Sequence, residues 1–90
     1  MSEIRIPPTL RSATDGAKLV QIDGGTVRDV VSGLVSTYPE LRSRILDAEG
    51  GVNGFVNVFL NGTDVRYLGG LETPVGERDS LVLLPAMAGG

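Results

Sequence analysis

The 90-residue sequence contains no cysteine, no histidine and no tryptophan, and these absences exclude several kinds of chemistry. Without cysteine the chain has no disulfide, no thiolate metal site and no thiol nucleophile, and without histidine it lacks the commonest general base and metal ligand. Its aromatic residues are only two Phe and two Tyr, so the core must be built from Val, Leu and Ile. Most enzyme mechanisms are thereby excluded.

Basic residues are also few: the sequence contains eight Lys and Arg and eleven Asp and Glu, which gives a net charge of -3. Nucleic-acid binding requires the opposite balance. No apolar run reaches the roughly 18 residues of a membrane span, and the N-terminus lacks the pattern of a signal peptide. We therefore expect one small cytoplasmic domain that binds neither nucleic acid nor membranes.

Alternating apolar and polar residues predict two strands at the start of the chain. The first lies within residues 3–11 and the second at residues 18–22, and the dipeptide Asp15-Gly16 predicts a hairpin turn between them. In the second strand we expect Leu19 to point inward, with Ile22 as a further candidate.

A helix follows, and it begins after Thr26. Thr26 and Asp29 supply the hydroxyl and the carboxylate that satisfy free amides at a helix start, and Pro39 ends the helix. Between them an apolar stripe recurs at helical period. Its members are Val27, Val30, Val31, Leu34, Val35 and Tyr38. A short further helical turn is predicted over residues 41–46.

The second half of the chain predicts more strands. Residues 55–60 run into Asn61-Gly62, the favoured dipeptide of a type I′ hairpin, and residues 64–67 form the return strand. Residues 80–85 are apolar at nearly every position, which predicts a central last strand paired with the first. The element order predicts an α+β architecture, a mixed sheet of four to five strands with one main helix on one face. This matches the β-grasp arrangement of ubiquitin.

The last five residues form a separate unit. Pro85 ends the last strand, and Ala86, Met87, Ala88, Gly89 and Gly90 follow it. The other Gly-Gly pairs lie between predicted elements and make turns, whereas the terminal pair has no turn to make. We therefore divide the chain into a β-grasp domain at residues 1–85 and a flexible tail at residues 86–90.

Motifs along the whole chain resemble the ubiquitin-like sulfur carrier proteins. This family includes the small subunit of molybdopterin synthase, the thiamin sulfur carrier and the actinobacterial carrier for cysteine biosynthesis, which is the most similar branch. The resemblance rests on four segments: 6–11, 55–59, 64–71 and 84–90. In the molybdopterin branch the tail usually has Pro-Pro-Val before its last small residue and Gly-Gly; here Ala86 and Met87 replace the second Pro and the Val, which disfavours that branch.

The resemblance implies a role for the C-terminal glycine. The Gly90 carboxylate would be adenylated by an E1-like enzyme and converted to a thiocarboxylate, while Gly89 lets the backbone pass through a narrow channel. The chain would bind no cofactor or metal and would be a protein co-substrate, not an enzyme. ATP and Mg would come with the activating enzyme, because the sequence has no nucleotide-binding motif. A biosynthetic synthase would accept the sulfur, with a metal-dependent peptidase as a partner in the cysteine pathway.

A partner must also dock, and alternation predicts where. Asn57 marks the solvent side of its strand, which places Phe55 and Phe59 on that side. Leu81 and Leu83 would face the helix, leaving Val82 and Leu84 outside. The predicted partner-binding residues are Phe59, Val82, Leu84, Met87 and Ala88.

Three alternative functions stay open at this point. The chain could be the small subunit of molybdopterin synthase, a protein modifier that forms an isopeptide through Gly90, or an inert interaction domain whose Gly-Gly ending is incidental. The sulfur acceptor also stays open between cysteine and another sulfur-containing metabolite such as a thiosugar.

Overall fold

Five strands form one mixed sheet in the structure, a computed structural model that describes residues 1–85. The strands are β1 (Ser2–Arg5), β2 (Leu19–Ile22), β3 (Val56–Leu60), β4 (Thr63–Asp64) and β5 (Ser80–Pro85). Their order across the sheet is β2-β1-β5-β3-β4. The apolar last strand β5 is central, parallel to β1 and antiparallel to β3. This confirms the predicted β-grasp architecture.

One long helix, α1 (Val27–Thr37), packs on one face of this sheet. The Thr26 hydroxyl accepts a hydrogen bond from the Asp29 amide at 3.2 Å, which confirms the predicted helix start. Five residues of the apolar stripe are buried, and Tyr38 is half-buried at the helix end. The helix lies close to β2 at Gly33, where a Cβ atom would be 2.6 Å from Cγ2 of Ile22.

Short helices complete the layer that covers this face. The helix α2 (Arg42–Ile45) confirms the extra turn predicted after Pro39, and single turns of 3-10 helix lie at Pro39–Leu41, Val65–Tyr67 and Gly70–Glu72. These elements enclose an aliphatic core. Its most deeply buried large side chains are Ile4, Ile6, Leu34, Leu41, Ile45, Leu81 and Leu83.

The N-terminal prediction is only partly right. The first strand ends at Arg5, and Pro8–Thr14 forms a 3-10 helix in place of the predicted strand. Pro8 favours this outcome because its fixed φ suits the first turn of a helix, where no amide donor is needed. The orientation predicted for Leu19 is wrong, since Val20 and Ile22 point inward and Leu19 is 46% exposed.

The β3–β4 hairpin has the predicted turn but a shorter return strand. Asn61 and Gly62 have φ values of 50° and 90°, the two positive values that a type I′ turn requires. The return strand predicted to continue to Tyr67 stops at Asp64. Its carboxylate accepts a hydrogen bond from the Arg66 amide at 2.9 Å. This bond favours a 3-10 helix at Val65–Tyr67, so these residues do not pair with β3.

Candidate functional site

The outer face of the sheet, opposite α1, carries the apolar residues predicted to bind a partner. Phe59 pairs directly with Val82, and Asn57 pairs with Leu84, across β3 and β5. The register therefore brings Phe59, Val82 and Leu84 together. Their inward neighbours Leu81 and Leu83 are each 1% exposed, so the predicted orientation of β5 is correct.

The three residues are not equally accessible. Leu84 is 42% exposed, whereas Phe59 and Val82 are half-buried in the sheet surface. The Phe59 side chain is thus only partly accessible to a partner, because Val82 lies directly across from it in the sheet. Leu84 is the most prominent member of this group, which we call the outer apolar face.

Leu19 extends the outer apolar face, and sequence reasoning missed it. In the pairing register, Leu19 lies opposite Arg5, and Arg5 lies opposite Val82. One row of side chains thus crosses four strands from Leu19 to Phe59. The signal in the sequence was the spacing of Val20 and Ile22, two β-branched residues that share one side of the strand.

The outer apolar face ends where the tail begins. Leu84 is followed by Pro85, which pairs with Val56 at the end of the sheet. The predicted tail residues Met87, Ala88, Gly89 and Gly90 lie outside the described residues. A partner that bound Leu84 would therefore be next to the start of the tail.

Charged groups near the β3–β4 hairpin have a structural role. The buried Asp64 carboxylate accepts bonds from Arg66 Nε at 3.1 Å and Nη2 at 2.7 Å. These bonds lower the pKa of Asp64 despite the opposing effect of its burial. The pKa of Asp79 is also lowered, first by the Gly76 amide and then by the Asn61 side chain. Both carboxylates thus stay ionised and fix turns in the chain.

The described residues, 1–85, contain neither a candidate membrane span nor a candidate metal site. No helix in this range is long and apolar enough to cross a membrane. Within the same range no three Asp, Glu, His or Cys side chains converge in a way that could hold a metal ion.

Comparison with curated proteins identifies relatives along the whole chain. The ThiS family model matches residues 4–90. The sulfur carrier protein CysO of Mycobacterium tuberculosis is 40% identical over 89 residues, which span 97% of this chain and 96% of that protein.

Solved structures also match this chain over nearly its whole length. A chain in the crystal structure of the Amycolatopsis orientalis BexX/CysO complex matches with a TM-score of 0.90 and 38% identity, and the match covers 100% of both chains. The solution structure of small archaeal modifier protein 1 from Methanosarcina acetivorans matches with a TM-score of 0.85 and 30% identity, covering 99% of this chain and 95% of that one. With its ubiquitin-like sheet and helix and its match from residue 4 to residue 90, the chain belongs to the ThiS family.

Proposed function

We propose that this chain is a sulfur carrier whose Gly90 carboxylate is activated by an E1-like enzyme. In the first step the carboxylate attacks the α-phosphorus of ATP, pyrophosphate leaves, and an acyl-adenylate forms. In the second step sulfide attacks the acyl carbon and displaces AMP, which leaves a thiocarboxylate on Gly90. The thiocarboxylate then supplies sulfur for the synthesis of cysteine or of another sulfur-containing metabolite.

The similarity to named sulfur carriers is the observation that carries this proposal. It extends over 97% of the chain at 40% identity, and a carrier of the same fold is part of the BexX/CysO complex. The sequence itself adds the Gly89-Gly90 ending beyond the last strand. Glycines without Cβ atoms can enter a narrow channel and leave the acyl carbon open to attack.

In this proposal the chain contributes the acyl group and docking surfaces, and its partners contribute the catalysis. ATP and Mg bind to the activating enzyme. The outer apolar face of Phe59, Val82 and Leu84 contacts that enzyme, while Met87, Ala88 and Gly89 pass through its channel. The further partners are a sulfur-accepting synthase and, for the cysteine pathway, a metal-dependent peptidase.

A protein-modifier function is the second candidate, and one observation favours it. The matching solution structure from Methanosarcina acetivorans is that of a small archaeal modifier protein. Both functions begin with adenylation of Gly90, but a modifier then forms an isopeptide with a lysine of a target. Isopeptide-linked conjugates formed in place of a free thiocarboxylate would favour the modifier.

The first test removes the reacting group. Deletion of Gly90, or Gly89→Val, should abolish adenylation without changing the melting temperature, because both residues follow the last strand. Pyrophosphate exchange with the E1-like enzyme measures adenylation, and thermal melts of the same samples measure the fold. If the truncated protein is adenylated as fast as wild type, the carrier proposal is wrong.

A further inference from the structure

A second surface feature lies beside the start of the tail, on the side of the sheet that carries the helices. It is a pocket of about 280 Å³ between the Pro8–Thr14 helix, α2 and the beginning of β3. Leu10, Val56 and Pro85 contribute apolar surface to it, and Phe55, which is 77% exposed, also lines it. We call this the tail-side pocket.

Phe55 belongs to this pocket because of a local turn. The sequence predicts Phe55 as the first residue of β3, on the same side as Asn57, but the strand begins at Val56. The Phe55 amide donates to Oδ1 of Asn53 at 2.9 Å, which holds the residue in a turn before the strand. Phe55 therefore stands beside Leu10 and Arg44 around the pocket.

The pocket has a positive rim. Arg44 lines it, and among the described residues that line it none is acidic. Arg44 takes part in none of the ion pairs formed within residues 1–85. Its neighbour Arg42 differs, since it borders another hollow that contains Asp47 and Glu49. In a chain with net charge -3, Arg44 thus provides a local site for an anionic group next to an apolar recess.

The position of the pocket relates it to the proposed function, on which this inference rests. Five residues separate Pro85 from the end of the sequence, and a chain of this length reaches at most about 17 Å. A standard interface covers about 800 Å² on each partner, equivalent to a disc about 16 Å in radius. An enzyme that admits Gly90 must approach Pro85 within this distance, which brings the pocket that Pro85 helps to form within reach of the enzyme's surface.

We propose that the tail-side pocket is a second docking point for the activating enzyme, which places there an apolar side chain with a neighbouring Asp or Glu. The apolar group contacts Leu10, Phe55 and Val56, and the carboxylate pairs with Arg44. Leu84 lies on the opposite face of the same strand end. The enzyme therefore holds the end of β5 from both sides of the sheet and fixes the direction in which the tail enters the channel.

The test uses four variants in two matched pairs. Phe55→Ala is compared with Tyr67→Ala, which removes a second aromatic, 81% exposed and absent from the pocket lining. Arg44→Gln is compared with Arg42→Gln from the same short helix. Pyrophosphate exchange with the E1-like enzyme gives kcat and the KM for the carrier, and thermal melts show that each variant is folded.

We expect Phe55→Ala and Arg44→Gln each to raise the KM for the carrier about tenfold with kcat nearly unchanged, as for a residue near the centre of an interface. Tyr67→Ala and Arg42→Gln should stay within about twofold of wild type, the range expected for surface positions outside an interface. The effect of Arg44→Gln should shrink as salt is added, because the electrostatic attraction that it removes is screened.

Several results would overturn the proposal. If wild type supports exchange and both pocket variants keep its KM, the pocket is not a docking point, although the carrier function stands. A lower KM for Phe55→Ala would mean that the chain's own Met87 fills the pocket and must be released. A dimer of the wild-type chain that Phe55→Ala dissociates would identify a second copy as the occupant. If wild type gives no exchange at all, the carrier proposal and this inference fail together.

Discussion

Leu83 and Leu84 are neighbours in β5, and replacing each with aspartate should have opposite consequences. Leu83 is 1% exposed and Leu84 is 42% exposed. Truncation of a buried leucine costs about 2–5 kcal/mol, and an unpaired carboxylate in the core adds several kcal/mol more. Since a small domain has about 5–15 kcal/mol of stability in total, Leu83→Asp should be largely unfolded.

Leu84→Asp should stay folded, because its carboxylate remains in water. Full burial of a leucine is worth about 1.5–3 kcal/mol, so losing the covered part of a half-exposed side chain costs about 1 kcal/mol. For a domain of this size that lowers the melting temperature by roughly 4–8 °C. Binding should suffer more, since loss of an apolar anchor costs about 2 kcal/mol, or about 30-fold in affinity.

Circular dichroism melts and titration of the E1-like enzyme with each folded variant measure both effects. Ser36→Asp, on the exposed side of α1, is the control for an added surface charge and should bind as wild type does. If Leu84→Asp unfolds, or if it binds normally, Leu84 is not part of a docking face. If Leu83→Asp melts like wild type, the assigned orientation of β5 is wrong.

Two further predictions concern stability. Leu34→Ala should lower the free energy of unfolding by about 2–5 kcal/mol, because this fully buried side chain joins α1 to the sheet; an equilibrium denaturation curve that matches the exposed control Ser36→Ala would contradict this packing. Asp64 has its pKa lowered below the ordinary 3.8 by its bonds with Arg66, so its ionised form stabilises the fold above that pH, and the contribution is lost as the pH falls through the lower folded value. Asp64→Asn should therefore have a lower free energy of unfolding than wild type at neutral pH, and the difference between the two proteins should become smaller in acid. If denaturation curves show the same difference in free energy at every pH between 7 and 2, ionisation of Asp64 is not its cause.

Local signals account for the elements that the sequence predicted well. The hydroxyl of Thr26, the Asn61-Gly62 turn and the apolar run of β5 each act within a few residues of where they stand. A helix cap and a type I′ hairpin depend on such short-range chemistry, and an apolar run such as that of β5 indicates a strand with contacts on both faces. The helix, the hairpin and the pairing of the last strand with the first could therefore be predicted from the sequence.

The wrong predictions occur where a side chain competes with strand pairing for backbone hydrogen bonds, or where a pattern of apolar residues fits two orientations of a strand. Asp64 ends β4 by binding the Arg66 amide, although the residues after it look like a strand. Leu19 and Ile22 cannot both face inward in a regular strand, and only the packing of Val20 decides between the two registers. The tail-side pocket could not be predicted, because it joins segments that are far apart in the sequence.

The chemical state of Gly90 after the reaction tests the central claim most directly. The purified chain is incubated with ATP, Mg, the E1-like enzyme and sulfide, and its intact mass is then measured and the change located by fragmentation. The carrier account predicts the mass gain of one oxygen replaced by sulfur, confined to Gly90, and no gain when ATP is omitted. An unchanged mass with an active enzyme, or a modification at any other residue, would contradict it.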